Sequence, residues 1–233
     1  AHGNAFVPPG TNAALRAVVT CHARVLAKPQ LARSRIIGLS HSTVRFLAGA
    51  FGLGAAYVPL PVDSSAPIAA GRSATDPAEP LRVVFAGRLV PLKNVDRVIA
   101  AVHAIASTLP VELDIYGDGP LLPDVRRQAG RTIRVHGAVD RLELADAVAR
   151  AHCVVCASSV ESGPLAVLEA VSAGVPAVTT DVGDARAYLG ENLRQLVVQS
   201  PDADEIAAAL HLPRPRSNQR ADRRSRTRAA GRA

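Results

Sequence analysis

Two glutamates eight positions apart, Glu161 and Glu169, bracket the stretch ESGPLAVLE, and about seventy residues earlier the chain reads GRLVPLKN. In that earlier stretch Gly87 closes an apolar run, Arg88 follows it, and Lys93 comes shortly after. Arg88 offers a planar fork of donors suited to phosphate oxygens, and Lys93 a mobile point charge. The two carboxylates supply acceptors for hydroxyl groups on either side of a Gly-Pro helix start. Together these residues could neutralise a diphosphate and hold a polyhydroxylated group. Each motif alone also has a plainer reading: a solvated basic loop with an ordinary helix cap, and a favourable charge near a helix start with an exposed glutamate beyond it.

The elements that must position these groups follow from local signals. Pro164 suits the first position of a helix, with Gly163 or Ser162 as its cap. Glu161 then lies in the loop before that helix and Glu169 in its second turn, and the spacing turns Leu165, Leu168 and Val171 toward the core. Amides at Gly163, Leu165 and Ala166 could meet an anionic or hydroxylated ligand. Asn94 reads as the N-cap of a helix that begins at Val95. In YGDGP, Gly117 and Gly119 permit a tight turn and Pro120 opens a helix. The segment is similar to a phosphate-cradling turn but lacks the third glycine of GxGxxG, so a plain strand-to-helix turn reads equally well. Gly183 in VGDAR allows either a close ligand approach or only a turn.

Other polar residues carry weaker signals. His22 ends the apolar run AVVTCH, where it either faces a cleft or caps the surface. Ser40 and Ser42 read as helix caps rather than nucleophiles. Asp114 and Asp118 lack the spacing of a metal-binding DxD pair. Cys153 and Cys156 have CxxC spacing, but HCVVCAS is an apolar strand whose period of two sends them to opposite faces, so buried packing is expected. Three cysteines without a recognisable leader point to reduced thiols and a cytoplasmic setting.

From residue 81 onward the chain is regular. The apolar runs LRVVFAG (81–87), VELDIYG (111–117), IRVHG (133–137), CVVCAS (153–158), PAVTT (176–180) and RQLVV (194–198) alternate with amphipathic segments. In NVDRVIAAVHAIA, Val95, Val98, Ile99, Val102 and Ile105 form one helical stripe. β-branched strands alternating with helices predict a parallel sheet covered on both faces, hence an α/β doubly wound domain over 81–211. Its ligand belongs outside the carboxyl ends of the strands. Residues 64–80, small, polar and Pro-rich, read as a linker. Residues 1–63 give a shorter α/β pattern, AVVTCH, SRIIGLS, STVRFLAGAFG and AYVPLPVD, that reads as part of a second α/β domain. The absence of Met agrees with a chain truncated at its N-terminus.

Charge narrows the partners. The net charge is +7, but residues 212–233 hold eight Arg and one Asp, and the other 211 residues hold 19 basic and 19 acidic side chains. The folded part is neutral, and the tail reads as a disordered segment or, alternatively, as a contact for nucleic acid or an anionic membrane. No aromatic residue interleaves its arginines, so no specific nucleic-acid partner is expected. No apolar run reaches the roughly 20 residues that span a bilayer.

The order GRL-x-P-x-K, YGDGP, the VHG strand, S-x-x-E-x7-E with LEAVSAGVP, and a glycine turn resembles the C-terminal domain of glycosyltransferase family 4, the group 1 glycosyltransferases. TCHA, IIGLS and YVPLPVD are similar to the later part of that family's N-terminal domain. The resemblance implies a GT-B architecture of two Rossmann-like domains. It also implies a retaining transfer of a sugar from a nucleotide-diphosphate sugar to a sugar, lipid or small-molecule acceptor, with no metal or other cofactor. By that similarity Arg88 and Lys93 would neutralise the donor diphosphate, with Gly87, Gly117 and Gly119 beside them. Glu161 would contact donor-sugar hydroxyls with Gly163, Pro164 and Leu165, Glu169 would bind the ribose, and backbone near His136 and Gly137 would hold the base. His22 would reach the donor sugar from the other domain. A lipid acceptor would bring peripheral membrane contact. The chain departs from the family pattern where Glu-Ser-Gly-Pro replaces Glu-Gly-Phe-Gly, in the early N-terminal strands, and in the last helix, where the Arg-rich tail stands. Two alternatives follow: a truncated, non-catalytic remnant that binds a nucleotide sugar, or a relative of GT-B nucleotide-sugar 2-epimerases.

Overall fold

The computed structural model describes residues 33–62 and 79–212. His22, Cys21, the run AVVTCH, nearly all of the linker and nearly all of the Arg-rich tail lie outside the described residues.

The chain divides into two compact units. The larger comprises Val62–Ser159, Leu165–Asp181 and the chain from Ala185 onward. The smaller comprises the chain up to Pro61, with Val160–Pro164 and Val182–Asp184.

The larger unit is the doubly wound α/β domain that the apolar runs predict. Its strands are β3 (Leu81–Ala86), β4 (Val111–Tyr116), β5 (Ile133–Gly137), β6 (Cys153–Cys156), β7 (Ala177–Thr180) and β8 (Val197–Val198). All pair in parallel, in the order β5-β4-β3-β6-β7-β8. The chain runs outward from β3 to β5 and then crosses back to place β6 on the other side of β3. That reversal makes the carboxyl ends of β3 and β6 the switch point, the place where open α/β sheets in general form a ligand-binding crevice. Helices Val95–Ile105, Leu122–Gln128, Arg141–Arg150, Leu165–Ser172 and Ala185–Leu189 connect the strands, and Ala203–Leu210 follows the last one. In the first of these, Val95, Val98, Ile99, Val102 and Ile105 are all buried, as their spacing predicts. Cys153 and Cys156 are buried in β6, and burial pushes the Cys153 thiol up to about 12.

Three local expectations are corrected. RQLVV is mostly a 3-10 turn, Glu191–Leu196, and only Val197 and Val198 pair with β7. The helix after ESGP begins at Leu165, one residue beyond Pro164, and buries Val167 and Ala170. Leu165 is exposed and Leu168 and Val171 are half-buried, because the helix lies one step round from the phase that the leucine spacing suggests. After YGDGP the helix starts at Leu122, with Pro123 rather than Pro120 in its first turn.

In the smaller unit, β1 (Ile37–Gly38) and β2 (Ala56–Tyr57) pair in parallel around the helix His41–Phe51. Ser40 caps that helix, its Oγ accepting from the Thr43 amide at 3.1 Å, and Ser42 lies 2.9 Å from the same hydroxyl. Gly52 ends the helix in the left-handed region, its amide bonded to the Ala48 carbonyl. Among the described residues no helix is long and apolar enough to cross a membrane.

Candidate functional site

The GRLVPLKN segment leaves β3 at the switch point and is held there by its own backbone. Leu89 is fully buried, its amide donates to the Asp118 carbonyl at 2.8 Å, and its carbonyl accepts from the Leu121 amide at 3.0 Å. A buried apolar residue with both backbone groups engaged anchors the loop between Arg88 and Lys93. Pro91–Lys93 then form a 3-10 turn. The side chain of Lys93 folds back over the end of β3: its Nζ, Cε and Cδ all lie about 4 Å from the position a Cβ on Gly87 would take. Lys93 is half-buried and Arg88 is exposed. A cation therefore sits at the end of the central strand with a guanidinium beside it in sequence, an arrangement that can neutralise phosphate oxygens.

The turn after β4 fits closely against this loop. A Cβ on Gly117 would run into the Gly87 carbonyl, and one on Gly119 would come within 2.5 Å of the Leu89 carbonyl. Both glycines also have positive φ, 133° and 155°. The Gly87 amide donates to the Tyr116 carbonyl at 3.0 Å, and the Gly117 amide to the Gly137 carbonyl at 2.7 Å. These glycines let two strand-end loops lie backbone against backbone. Their contribution to a ligand would come through the position of Gly87 and Lys93.

The loop after β6 is tied to the segment after β3 at the switch point. Thr180 donates its hydroxyl to the Ser158 carbonyl at 2.6 Å, and the Ser159 amide donates to the Leu92 carbonyl at 2.9 Å. Asn94 corrects a sequence expectation. It stands at the N-cap position, yet its side chain makes no capping bond. Its amide nitrogen instead donates to the Ala157 carbonyl and the Ser159 hydroxyl, both at 2.8 Å. Capping needs an extended backbone that aims the side-chain oxygen at the helix amides, whereas Asn94 is in the left-handed region.

Glu169 lies in the helix that follows and is half-buried. Burial raises its carboxyl above the usual range, and Arg141 partly opposes this. At the sheet edge, His136 stacks on Tyr116 with ring centroids 4.3 Å apart, and its Nε2 is 2.7 Å from Asp114. Arg134 donates its Nε to Asp114 at 2.9 Å. Burial alone would raise the Asp114 carboxyl, but the bonds from Arg134 and His136 outweigh it and hold it below the usual range.

Glu161, Gly163 and Pro164 belong to the smaller unit, although Glu169, eight residues on, belongs to the larger. Gly163 faces Leu60, whose side chain would lie 2.6 Å from an added Cβ. Gly183 lies against the backbone carbonyls of Glu161 and Ser162 and the ring of Pro164. Next to it stands a pair that sequence reasoning missed. The buried Asp184 accepts the His41 amide at 3.0 and 3.1 Å and faces the His41 Nδ1 at 3.0 Å. The His41 ring packs on Tyr57 with centroids 4.0 Å apart. The only local signal was the acidic residue after Gly183, because its partner is 143 positions away.

Residues 80–212 match the family model described as Glycosyl transferases group 1. The glycogen synthase of Mycobacterium tuberculosis is 36% identical over 174 residues, which cover 70% of this chain and 40% of that protein. The phosphatidyl-myo-inositol mannosyltransferase of Mycolicibacterium smegmatis is 32% identical over 185 residues, covering 75% of this chain and 46% of that protein. The chain thus spans less than half the length of these curated relatives. Among solved structures, HepE of Anabaena, in complex with UDP and glucose, superposes with a TM-score of 0.68 at 16% identity over 89% of this chain and 59% of its own. TarM of S. aureus, in a mutant form with fondaparinux, alpha-GlcNAc-glycerol and UDP, gives 0.62 at 16% identity over 90% of this chain and 41% of its own. These likenesses bear out the GT-B type of fold.

Proposed function

Because the chain belongs to the group 1 glycosyltransferases, we propose that its larger unit binds a nucleotide-diphosphate sugar and serves a retaining transfer of that sugar to a hydroxyl acceptor. The observation that carries this reading is the Lys93 side chain folded over Gly87 at the carboxyl end of the central strand. The UDP named in the complexes of HepE and TarM supports the nucleotide part.

In the proposed reaction the bond between the sugar C1 and the diphosphate oxygen breaks, and its electron pair stays on the phosphate. The acceptor oxygen bonds to C1 on the same face, and its proton passes to the departing phosphate. Arg88 and Lys93 offset the charge that grows on that phosphate. Preorganised donors of this kind are each worth about 3–4 kcal/mol in a transition state. No metal is required for that step. Glu169 takes the ribose hydroxyls, and its raised carboxyl suits a half-buried group that waits for hydroxyl donors. Glu161 takes hydroxyls of the donor sugar, and backbone near His136 and Gly137 takes the base. His22 is proposed for the donor sugar on the family resemblance alone. The acceptor is a sugar, a lipid or a small molecule.

Titration calorimetry with UDP, GDP and ADP tests the donor site. Binding of one of them, weakened about tenfold to a hundredfold by Lys93→Ala, is expected from the loss of a charged hydrogen bond. If the folded wild-type chain bound none of the three, the reading would fail.

A further inference from the structure

Asn94 is the only non-glycine residue with positive φ among the described residues, at φ 50° and ψ 40°. It separates the 3-10 turn Pro91–Lys93 from the helix that starts at Val95. Its amide closes the turn on the Pro91 carbonyl at 3.1 Å, and its own carbonyl accepts from the Arg97 amide at 3.1 Å. Asparagine tolerates the left-handed region better than most residues, but a β-branched or bulky one would not. An asparagine at this position would ordinarily turn its side chain onto the helix amides. Asn94 leaves those amides uncapped and spans to the loop after β6, where its Nδ2 holds both the Ala157 carbonyl and the Ser159 hydroxyl.

The two features act on the same neighbour. The left-handed bend falls directly after Lys93, whose side chain turns back over Gly87. The carboxamide ties that bend to the loop after β6, and the bond from the Ser159 amide to the Leu92 carbonyl joins the same two segments. Strained backbone that persists with such support clusters at functional sites. On the footing of the donor-site reading, we propose that Asn94 is a positioning residue: it sets the Lys93 ammonium at the end of β3 and so tunes the affinity for a nucleoside diphosphate.

The test uses whichever of UDP, GDP and ADP the wild-type chain binds most tightly, titrated into wild type, Asn94→Gly, Asn94→Ala, Lys93→Ala and the double variant Lys93→Ala/Asn94→Gly. Glycine keeps the bend and loses the tie, so Asn94→Gly should weaken binding by about threefold to tenfold. Asn94→Ala loses both and should weaken it further, by about tenfold or more. If Asn94→Ala does not fold, Asn94→Gly carries the test, because its backbone is unstrained there. A residue that acts through Lys93 has little left to act on once the lysine is gone, so the double variant should bind within about twofold of Lys93→Ala. Asn94→Gly binding like wild type, or its loss multiplying undiminished onto Lys93→Ala, would overturn the proposal and leave the donor site standing. No binding of any of the three nucleotides by wild type would remove the donor site, and this proposal with it.

Discussion

The carboxylate of Asp184 rests on the first amide of the helix His41–Phe51, with both oxygens within 3.1 Å of the His41 nitrogen and one also 3.0 Å from the His41 ring. A helix starts with unpaired amides and a partial positive charge, and a buried carboxylate answers both. Its removal leaves the amide without that partner and the imidazole without its orienting group. Asp184→Ala should cost about 1–3 kcal/mol in the smaller unit. Hydrogen exchange reads it directly: the amides at the start of the helix should exchange at least about tenfold faster, and Asp184→Asn should retain part of the protection. Unchanged exchange there would show that the pairing contributes nothing.

Gly117 presents a different kind of constraint, in which nothing polar is lost by substitution. A methyl group at this position enters the Gly87 carbonyl, and φ 133° is a conformation that L-residues avoid. Gly137 also has positive φ, 82°, but nothing lies within 4 Å of an added Cβ. Gly117→Ala should therefore destabilise by about 3 kcal/mol or more through steric displacement, and Gly137→Ala by about 1–2 kcal/mol from the backbone alone. Urea denaturation of the two variants side by side checks the difference. Equal costs would show that the loops after β3 and β4 part easily.

Glu169 links the site to pH. Burial raises its folded pKa above the unfolded value of about 4.3. Between those two values the native state holds more protons than the unfolded one, so stability falls as pH rises through that window and stays lower above it. Glu169→Gln removes the ionisation and should raise the melting temperature at neutral pH while flattening its acid-side dependence. If the carboxylate holds ribose hydroxyls, the same variant should bind the nucleotide about tenfold more weakly. Melting curves from pH 4 to 8, with nucleotide titrations at pH 7, separate the two effects. A lower melting temperature for Glu169→Gln at neutral pH would contradict the desolvation account.

The sheet of the larger unit was legible because its signal is local and repeated. LRVVFAG, VELDIYG, IRVHG and CVVCAS each carry their own apolar run, and the stripe from Val95 to Ile105 needs only helical geometry to read. The phase of the helix Leu165–Ser172 is not legible because LAVLEAVS is apolar nearly all round, so the leucines read as core while Val167 and Ala170 hold that place. The polar ties of the site were not legible at all. Nothing near Asn94 indicates that its partners lie at Ala157 and Ser159, and Asp184 gives no sign of His41. Such pairs exist only once the sheet order is known, which local periodicity does not contain.

The reversal of strand order at β3 has a kinetic side. β3 and β4 meet along six registered pairs, Leu81 with Val111 through Ala86 with Tyr116, joining residues 30 apart. β3 and β6 meet through two, Val83 with Cys153 and Val84 with Val154, joining residues 70 apart. Closing the longer loop costs more chain entropy before its contacts repay it. On that entropy argument the pairing of β3 with β6 is expected to form after that of β3 with β4, and mutational analysis of folding rates along the two seams checks the order. A ligand bound at the proposed donor site, touching the loops after both β3 and β6, would thus act as a clasp on the seam with the longest closure and is expected to slow the opening of the sheet.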